Sequence, residues 1–404
     1  MTIQKNSRKK VLVIALCIAL VLVIASVLAL ILVNKKDRAF SVGFYQVPEL
    51  IASNLEKKIS QTYGENIKFI QIEDEQLSEK KFYSKFDIIF CLNGSFVDGL
   101  EKYTKKIPAG IYGNMPRAIT DKTQVSLPIL LDHYELAFYR PSRMNALNMP
   151  QSLDELQEYL EKSKKNVFSP FFCAGGDDNT LLALVSAFTE AYGGTAAYNE
   201  LCEALKKEKT LKSVAETKLP LSSSTAKYFT IIDILDIFRS WKDNEMVHPD
   251  WFHASLNDVK VFMEEKQIAV VFMPLSFHRT ISYRVIRDFE SDRLPLRSSK
   301  DNHGLIAPEY VAIKLSNEEL CDTIFADLIE EVTQTNLSDQ TKLAPVNSRC
   351  AAFDRQSDDV RFFAAACKDG PLPSISEAVF QTSRAELHPF AEEIREYLRT
   401  GRLN

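Results

Sequence analysis

The stretch Phe40–Leu92, FSVGFYQVPELIASNLEKKISQTYGENIKFIQIEDEQLSEKKFYSKFDIIFCL, decides the architecture. Phe40 to Tyr45 reads as a strand. Pro48 then opens a helix that sets Ile51, Leu55 and Ile59 on one face, and Gly64 ends it. Ile67 to Ile72 and Asp87 to Leu92 read as two further strands, separated by a polar stretch expected to be helical. Strands alternating with helices predict a parallel sheet with helices on its faces. Ligands of such sheets lie beyond the carboxyl ends of the strands, which points to Tyr45, Gln46, Asn93, Gly94 and Ser95 as cleft residues.

Ahead of that stretch lies Val11 to Val33, 23 residues without a charge. At ~1.5 Å per residue a helix of this length covers about 34 Å, enough to cross a bilayer. The sequence therefore predicts a cytoplasmic tail over 1–10, an uncleaved transmembrane anchor over 11–33 and a linker over 34–39, with the working part outside the cytoplasm. The first 38 residues hold seven Lys/Arg and one Asp, so the remainder carries 42 positive against 53 negative side chains. That balance argues against nucleic acid and against anionic lipid surfaces as partners. About 366 residues exceed one ordinary core and suit two lobes. Cys91, Cys173, Cys202, Cys321, Cys350 and Cys367 are scattered without C-x-x-C spacing, and several sit among apolar residues, as small buried hydrophobes do.

Farther along, Ser152-Leu-Asp-Glu155 has capping-box spacing before Leu156, Tyr159 and Leu160, and Ser316 to Glu319 repeats it. Phe168 to Cys173 reads as a strand, Gly175 to Asn179 as a loop, and Thr180 to Tyr192 as an apolar helix stopped by Gly193-Gly194. Tyr228, Ile231, Ile232, Leu235 and Phe238 form a core-facing stripe; Gln267 to Phe272 is again a strand, and Pro389 to Leu398 a terminal helix.

The order of these elements resembles the family 1 extracellular solute-binding proteins of ABC importers, the group that includes maltose-binding protein and has the type II periplasmic-binding-protein fold. Gln124-Val-Ser-Leu-Pro-Ile-Leu-Leu-Asp-His-Tyr-Glu-Leu-Ala-Phe-Tyr-Arg140 looks like that family's first interlobe crossing, and Pro150 to Leu156 is similar to its "P-x-T-W-D-E-L" helix start. Tyr192-Gly193-Gly194 is placed like the family's "GG". Phe262 to Phe277 resembles "F-x-x-G-K-A-A-M" running into "G-P-W"; Leu343 to Asn347 and Gly370 to Pro373 resemble the late "G-x-x-P" and "G-x-x-M-P" segments. The chain departs from the pattern at Glu265, at Met273-Pro274-Leu275 in place of the sugar-stacking tryptophan, and near Thr382, where Phe380 is the closest aromatic. Aromatic platforms grip sugar rings, so their loss weakens the oligosaccharide case without touching the fold.

The resemblance implies two α/β lobes joined by hinge crossovers, over 40–130 with 290–338 and over 131–289 with 339–404, closing around one small solute and presenting it to ABC permease subunits. No cofactor is implied. The candidate ligand residues are Tyr45, Gln46, Asn93 and Ser95 from the first lobe, Asp132 and Tyr134 at the crossing, and Asp177, Asp178, Asn179, Trp241, Trp251, Phe277, His278 and Arg279 from the second. Each has a structural alternative: Asp178 or Asn179 as a helix cap, Trp241 as core, Tyr134 as filling at the lobe boundary, Arg279 as an ion-pair partner. His248 and His253 flank Asp250, but Pro249 and a five-residue spacing do not fit H-E-x-x-H, and no nucleotide or serine-hydrolase motif is present. A sensor or scaffold of the same fold that delivers no ligand is the other reading.

Overall fold

The computed structural model describes residues 39–64, 66–78, 81–120, 123–140, 147–221, 224–294 and 303–403. The strands in chain order are β1 Phe40–Tyr45, β2 Ile67–Ile72, β3 Ile88–Leu92, β4 Ser126–Leu131, β5 Tyr134–Tyr139, β6 Ser169–Cys173, β7 Leu219–Leu221, β8 Ser224–Phe229, β9 Ile268–Pro274, β10 Phe289–Arg293, β11 Leu305–Ile306, β12 Glu309–Lys314, β13 Ala344–Pro345 and β14 Pro371–Leu372. They form two main sheets, ordered β13-β4-β12-β3-β1-β2 and β10-β5-β9-β6. Each sheet is the centre of one lobe.

In the first lobe β1 runs parallel to both β2 and β3, as the opening stretch requires. The later strand β12 enters antiparallel between β3 and β4, so a distant piece of chain completes the sheet. The helix Glu49–Tyr63 buries Ile51, Leu55 and Ile59, the predicted face. The link from β2 to β3 is two 3₁₀ turns, Asp74–Ser78 and Phe82–Lys85, rather than a full helix. Phe82 alone among these nine residues is buried, so the segment has no apolar stripe to dock a longer helix.

In the second lobe Ser152 caps the helix Leu153–Ser163 by accepting from the Glu155 amide. The helix Asp178–Lys207 does not stop at Gly193-Gly194; it breaks there, with Gly194 at φ 70°, and resumes. Gly193 has no room for a side chain, because a Cβ would sit 2.5 Å from the Pro220 carbonyl oxygen. Glu318, not Ser316, occupies the N-cap of the helix Glu319–Leu328 and makes no side-chain cap bond, so the second capping box does not form. Phe171, Phe188, Phe238, Trp241 and Trp251 pack edge to face in the lobe's core, each contributing roughly 1.5–3 kcal/mol by burial. All six cysteines from Cys91 to Cys367 are buried and unbridged.

Three crossings join the lobes. β4 passes into β5 through Asp132 and His133 alone, while β11 and β14, on the other two crossings, lie side by side in parallel.

The expected transmembrane helix is not part of this architecture. No helix among the described residues is long and apolar enough to cross a membrane. Residues 11–33 lie outside the described residues. The anchored, single-pass localisation and the membrane as a partner through 11–33 are withdrawn with it, since nothing described supports them.

Candidate functional site

The short first crossing brings groups from both lobes together. The Asp132 amide donates to the Pro308 carbonyl beside β12 (2.8 Å), and its Oδ1 accepts from the amides of His133 (2.7 Å) and Ser276 (3.1 Å). The Leu275 amide donates to the His133 carbonyl, so the start of the helix Leu275–His278 is pinned to the crossing. Burial raises the Asp132 carboxyl, against the Ser276 and His133 bonds that lower it. Tyr134 stacks on Phe272 at 5.5 Å, and Tyr310 is the second residue of β12 on the other side. Both phenols are more than nine-tenths buried, and neither has a hydrogen-bond partner among the described residues. Burial pushes both far above the ordinary value; Glu377 and Asp132 raise them further, joined at Tyr134 by Asp177 and Tyr310.

A cavity of about 320 Å³ opens on the first lobe between Asn93, Asp98, Glu101, Thr120, Glu309 and Asp369, and Glu309 is the chain neighbour of Tyr310. Asn93 donates to Glu309 through its side chain (2.8 Å) and its amide to the Glu309 carbonyl (2.8 Å). Among the described residues the lining includes acids and hydroxyls and no lysine or arginine. Such a surface accepts hydrogen bonds and repels anions.

Tyr45, Gln46 and Ser95 do lie at the strand ends, but the chain covers them. Gln381, fully buried, donates its side-chain amide to the Leu92 carbonyl (2.9 Å) and accepts from the Phe96 amide (3.1 Å). Its own carbonyl accepts from the Tyr45 hydroxyl (2.7 Å) and from Gln46 Nε2 (3.2 Å). Gly94 makes the contact possible, because a Cβ there would meet the Glu377 carbonyl oxygen at 2.5 Å. Ser95 Oγ is buried and unbonded.

The remaining candidates disperse. Asp177 accepts from the amide and hydroxyl of Thr180, capping the long helix. Asp178 holds Arg395 (2.6 Å) and His388 (3.0 Å) of the C-terminal helix, and Asn179 adjoins it. Trp241 and Trp251 lie in the second lobe's core; Phe277 packs half-buried against that core. His278 is bonded to Glu135 at 2.5 Å; burial alone would raise the Glu135 carboxyl, and the ring holds it below its usual range. Arg279 crosses to the first lobe. Its two terminal nitrogens clasp Asp354 at 2.7 and 2.8 Å and also reach Gln356 and Ser357, while Nε donates to the Lys342 carbonyl. Asp354 caps the helix Arg355–Ala366, which packs on β13 of the first sheet. Glu309, Tyr310, Glu377 and Gln381 escaped the sequence reading; the one local signal was Pro308-Glu-Tyr, a polar pair opening an apolar strand. His248 and His253 are not part of a metal cluster, and no group of three or more metal-binding side chains occurs among the described residues.

No protein-family profile matches the sequence, and no curated protein matches it. Solved structures do. A bacterial solute receptor with exclusive preference for β-D-galactopyranose superposes with a TM-score of 0.68 at 10% identity, covering 90% of this chain and 92% of its own. The putative binding protein MsmE of Bacillus subtilis, in an open conformation, gives 0.63 at 12% identity over 90% and 97%. SBP RafE in complex with raffinose gives 0.60 at 13% over 89% and 95%. The fold is the two-lobed fold of the type II periplasmic and extracellular solute-binding proteins.

Proposed function

We propose that this chain is the carbohydrate-type solute-binding component of an ABC importer, holding one neutral, hydroxyl-rich solute between its lobes and delivering it to permease subunits. It is a binding protein, not an enzyme. The observation that carries the reading is the acid- and hydroxyl-lined cavity at Asn93 and Glu309, with Tyr310, the chain neighbour of Glu309, bearing on the buried Tyr134, and Asp132 and Glu377 bearing on both phenols at the lobe boundary. Carboxylates accept from sugar hydroxyls, and phenol rings offer both a face and a polar tip. About 320 Å³ falls at the small end of ligand pockets, which suits one or two sugar rings. The similar folds named above take galactopyranose and raffinose, both uncharged. Tyr134, Asp132 and Asn93 are the sequence candidates retained in this site, with Tyr310, Glu309 and Glu377 added.

Gln381 favours a second reading, a scaffold of the same fold that binds nothing, because it occupies the strand ends where a ligand of such sheets lies. Titration calorimetry with neutral mono- and disaccharides separates the two. The importer reading requires a one-to-one binder that Tyr310→Phe weakens; a blank panel leaves the scaffold.

A further inference from the structure

A second depression lies away from the acidic cleft, a groove of about 470 Å³ lined by the end of the helix Leu275–His278, the helix Tyr283–Ile286 and the segment 342–356. One wall belongs to each lobe. Tyr283 stands in it 77% exposed and Phe353 40% exposed, one ring from each side, with Arg279 and Lys342 lying over the Phe353 ring at 5.5 and 5.7 Å. Arg287 comes from the second lobe, Lys342 and Arg355 from the first. Arg287 and Arg355 have only long pairings, to Asp288 at 3.8 Å and Asp359 at 3.6 Å, and Lys342 has no carboxylate partner among the described residues. Asp354, the one acid in the lining, is already neutralised by the two-pronged contact with Arg279. The groove is thus cationic in a chain whose formal net charge is −5.

We propose that this groove is a second ligand site, for a solute carrying a phosphate or carboxylate group on a sugar-sized ring. Exposed cations from both walls meet the anion, and Tyr283 offers its ring to the sugar. The charge logic is opposite to that of the acid-lined cavity at Glu309, whose carboxylates repel such a solute, and the inference does not rest on the proposed function. Because the walls belong to different lobes, an occupant bridges them. The groove also touches two crossings: His278 is bonded to Glu135 on β5, just past the first, and Gln356 donates to Ser291 on β10, just before the second. Binding here therefore fixes the angle between the lobes.

The test is calorimetry on the full chain at low ionic strength with glucose 6-phosphate, glucuronate, glucose and inorganic phosphate. The two anionic sugars are expected to bind, more weakly as salt is added, and Arg287→Glu should weaken them by about tenfold. Tyr283→Ser, at an exposed position that folding does not depend on, should weaken both sugars severalfold and leave phosphate alone unaffected. A Lys164→Glu control, outside the groove lining, should change nothing. The proposal is overturned if neither anionic sugar binds at millimolar concentration, if glucose binds equally well at the groove, or if Arg287→Glu and Tyr283→Ser both leave binding intact.

Discussion

Replacing Arg279 by alanine removes a contact that spans the two lobes. The guanidinium spends its donors on Asp354, Gln356, Ser357 and the Lys342 carbonyl, and it lies over the Phe353 ring at 5.5 Å. Hydrogen bonds to a charged group contribute about 1.5–3 kcal/mol each, but Asp354 is 35% exposed and solvent screening cuts the sum. We expect Arg279→Ala to cost about 2–3 kcal/mol in urea unfolding. Asp354→Ala should cost about 1 kcal/mol more than the shared contact alone, since Asp354 also caps its helix through the Ser357 amide. The cap is lost in the single Asp354 variant and in the double variant alike, so it cancels in a double-mutant cycle. The remaining coupling should be about 1–2 kcal/mol. A pair of fluorophores, one per lobe, should report a wider distance distribution in each variant. Coupling below about 0.3 kcal/mol, the ordinary limit of additivity, together with an unchanged distance, would refute the latch.

Three further outcomes follow from the geometry. Gly94→Ala drives a methyl against the Glu377 carbonyl and Gln381 Oε1 at 2.5 and 2.7 Å; it should cost about 1–3 kcal/mol by overpacking, read as a lowered midpoint, with lobe separation increased. Burial holds the His133 imidazole down at about 4 from an ordinary 6.5. Its folded value is depressed, so the unfolded chain takes up the proton first and stability falls as pH drops from 6.5 to 4, by about 3 kcal/mol; His133→Asn should flatten that part of the pH profile. Burial opposes ionisation of Asp354, yet Arg279 and the Ser357 amide hold its carboxyl below the usual 3.8, so its contribution is complete above that value and lost as pH falls beneath it, a loss absent from Arg279→Ala.

Much of the fold was legible because its signals are local. Pro48, Gly64 and the spacing of Ile51, Leu55 and Ile59 delimit one helix, whereas the crossing at Asp132-His133 is read from its resemblance to a family segment, because two residues between apolar strands fit a hairpin equally well. The Gly193-Gly194 break misled only in extent, since a helix resumes when the chain beyond it has its own buried face at Ala197, Tyr198 and Leu201. The site was legible in part. Asn93 is read from a strand end and Tyr134 from the family resemblance, whereas Gln381 meets Tyr45 across 336 positions and Glu309 meets Asn93 across 216. No periodicity encodes such pairs. Trp241 and Trp251 are candidates through the family resemblance, but Trp241 continues the buried spacing of Ile234 and Phe238, the core alternative. Arg279 found its carboxylate 75 residues on, a partner that only the folded chain supplies.

The central claim is that the boundary between the lobes holds a neutral sugar. The most direct measurement is titration of the purified protein with uncharged mono- and disaccharides, repeated on Tyr310→Phe and Glu309→Gln. The account predicts a single-site binder whose affinity falls at least about tenfold in Glu309→Gln, the loss of roughly one charge-assisted hydrogen bond, with unfolding midpoints little changed. A panel that binds nowhere, or a sugar whose affinity ignores both substitutions, would contradict it.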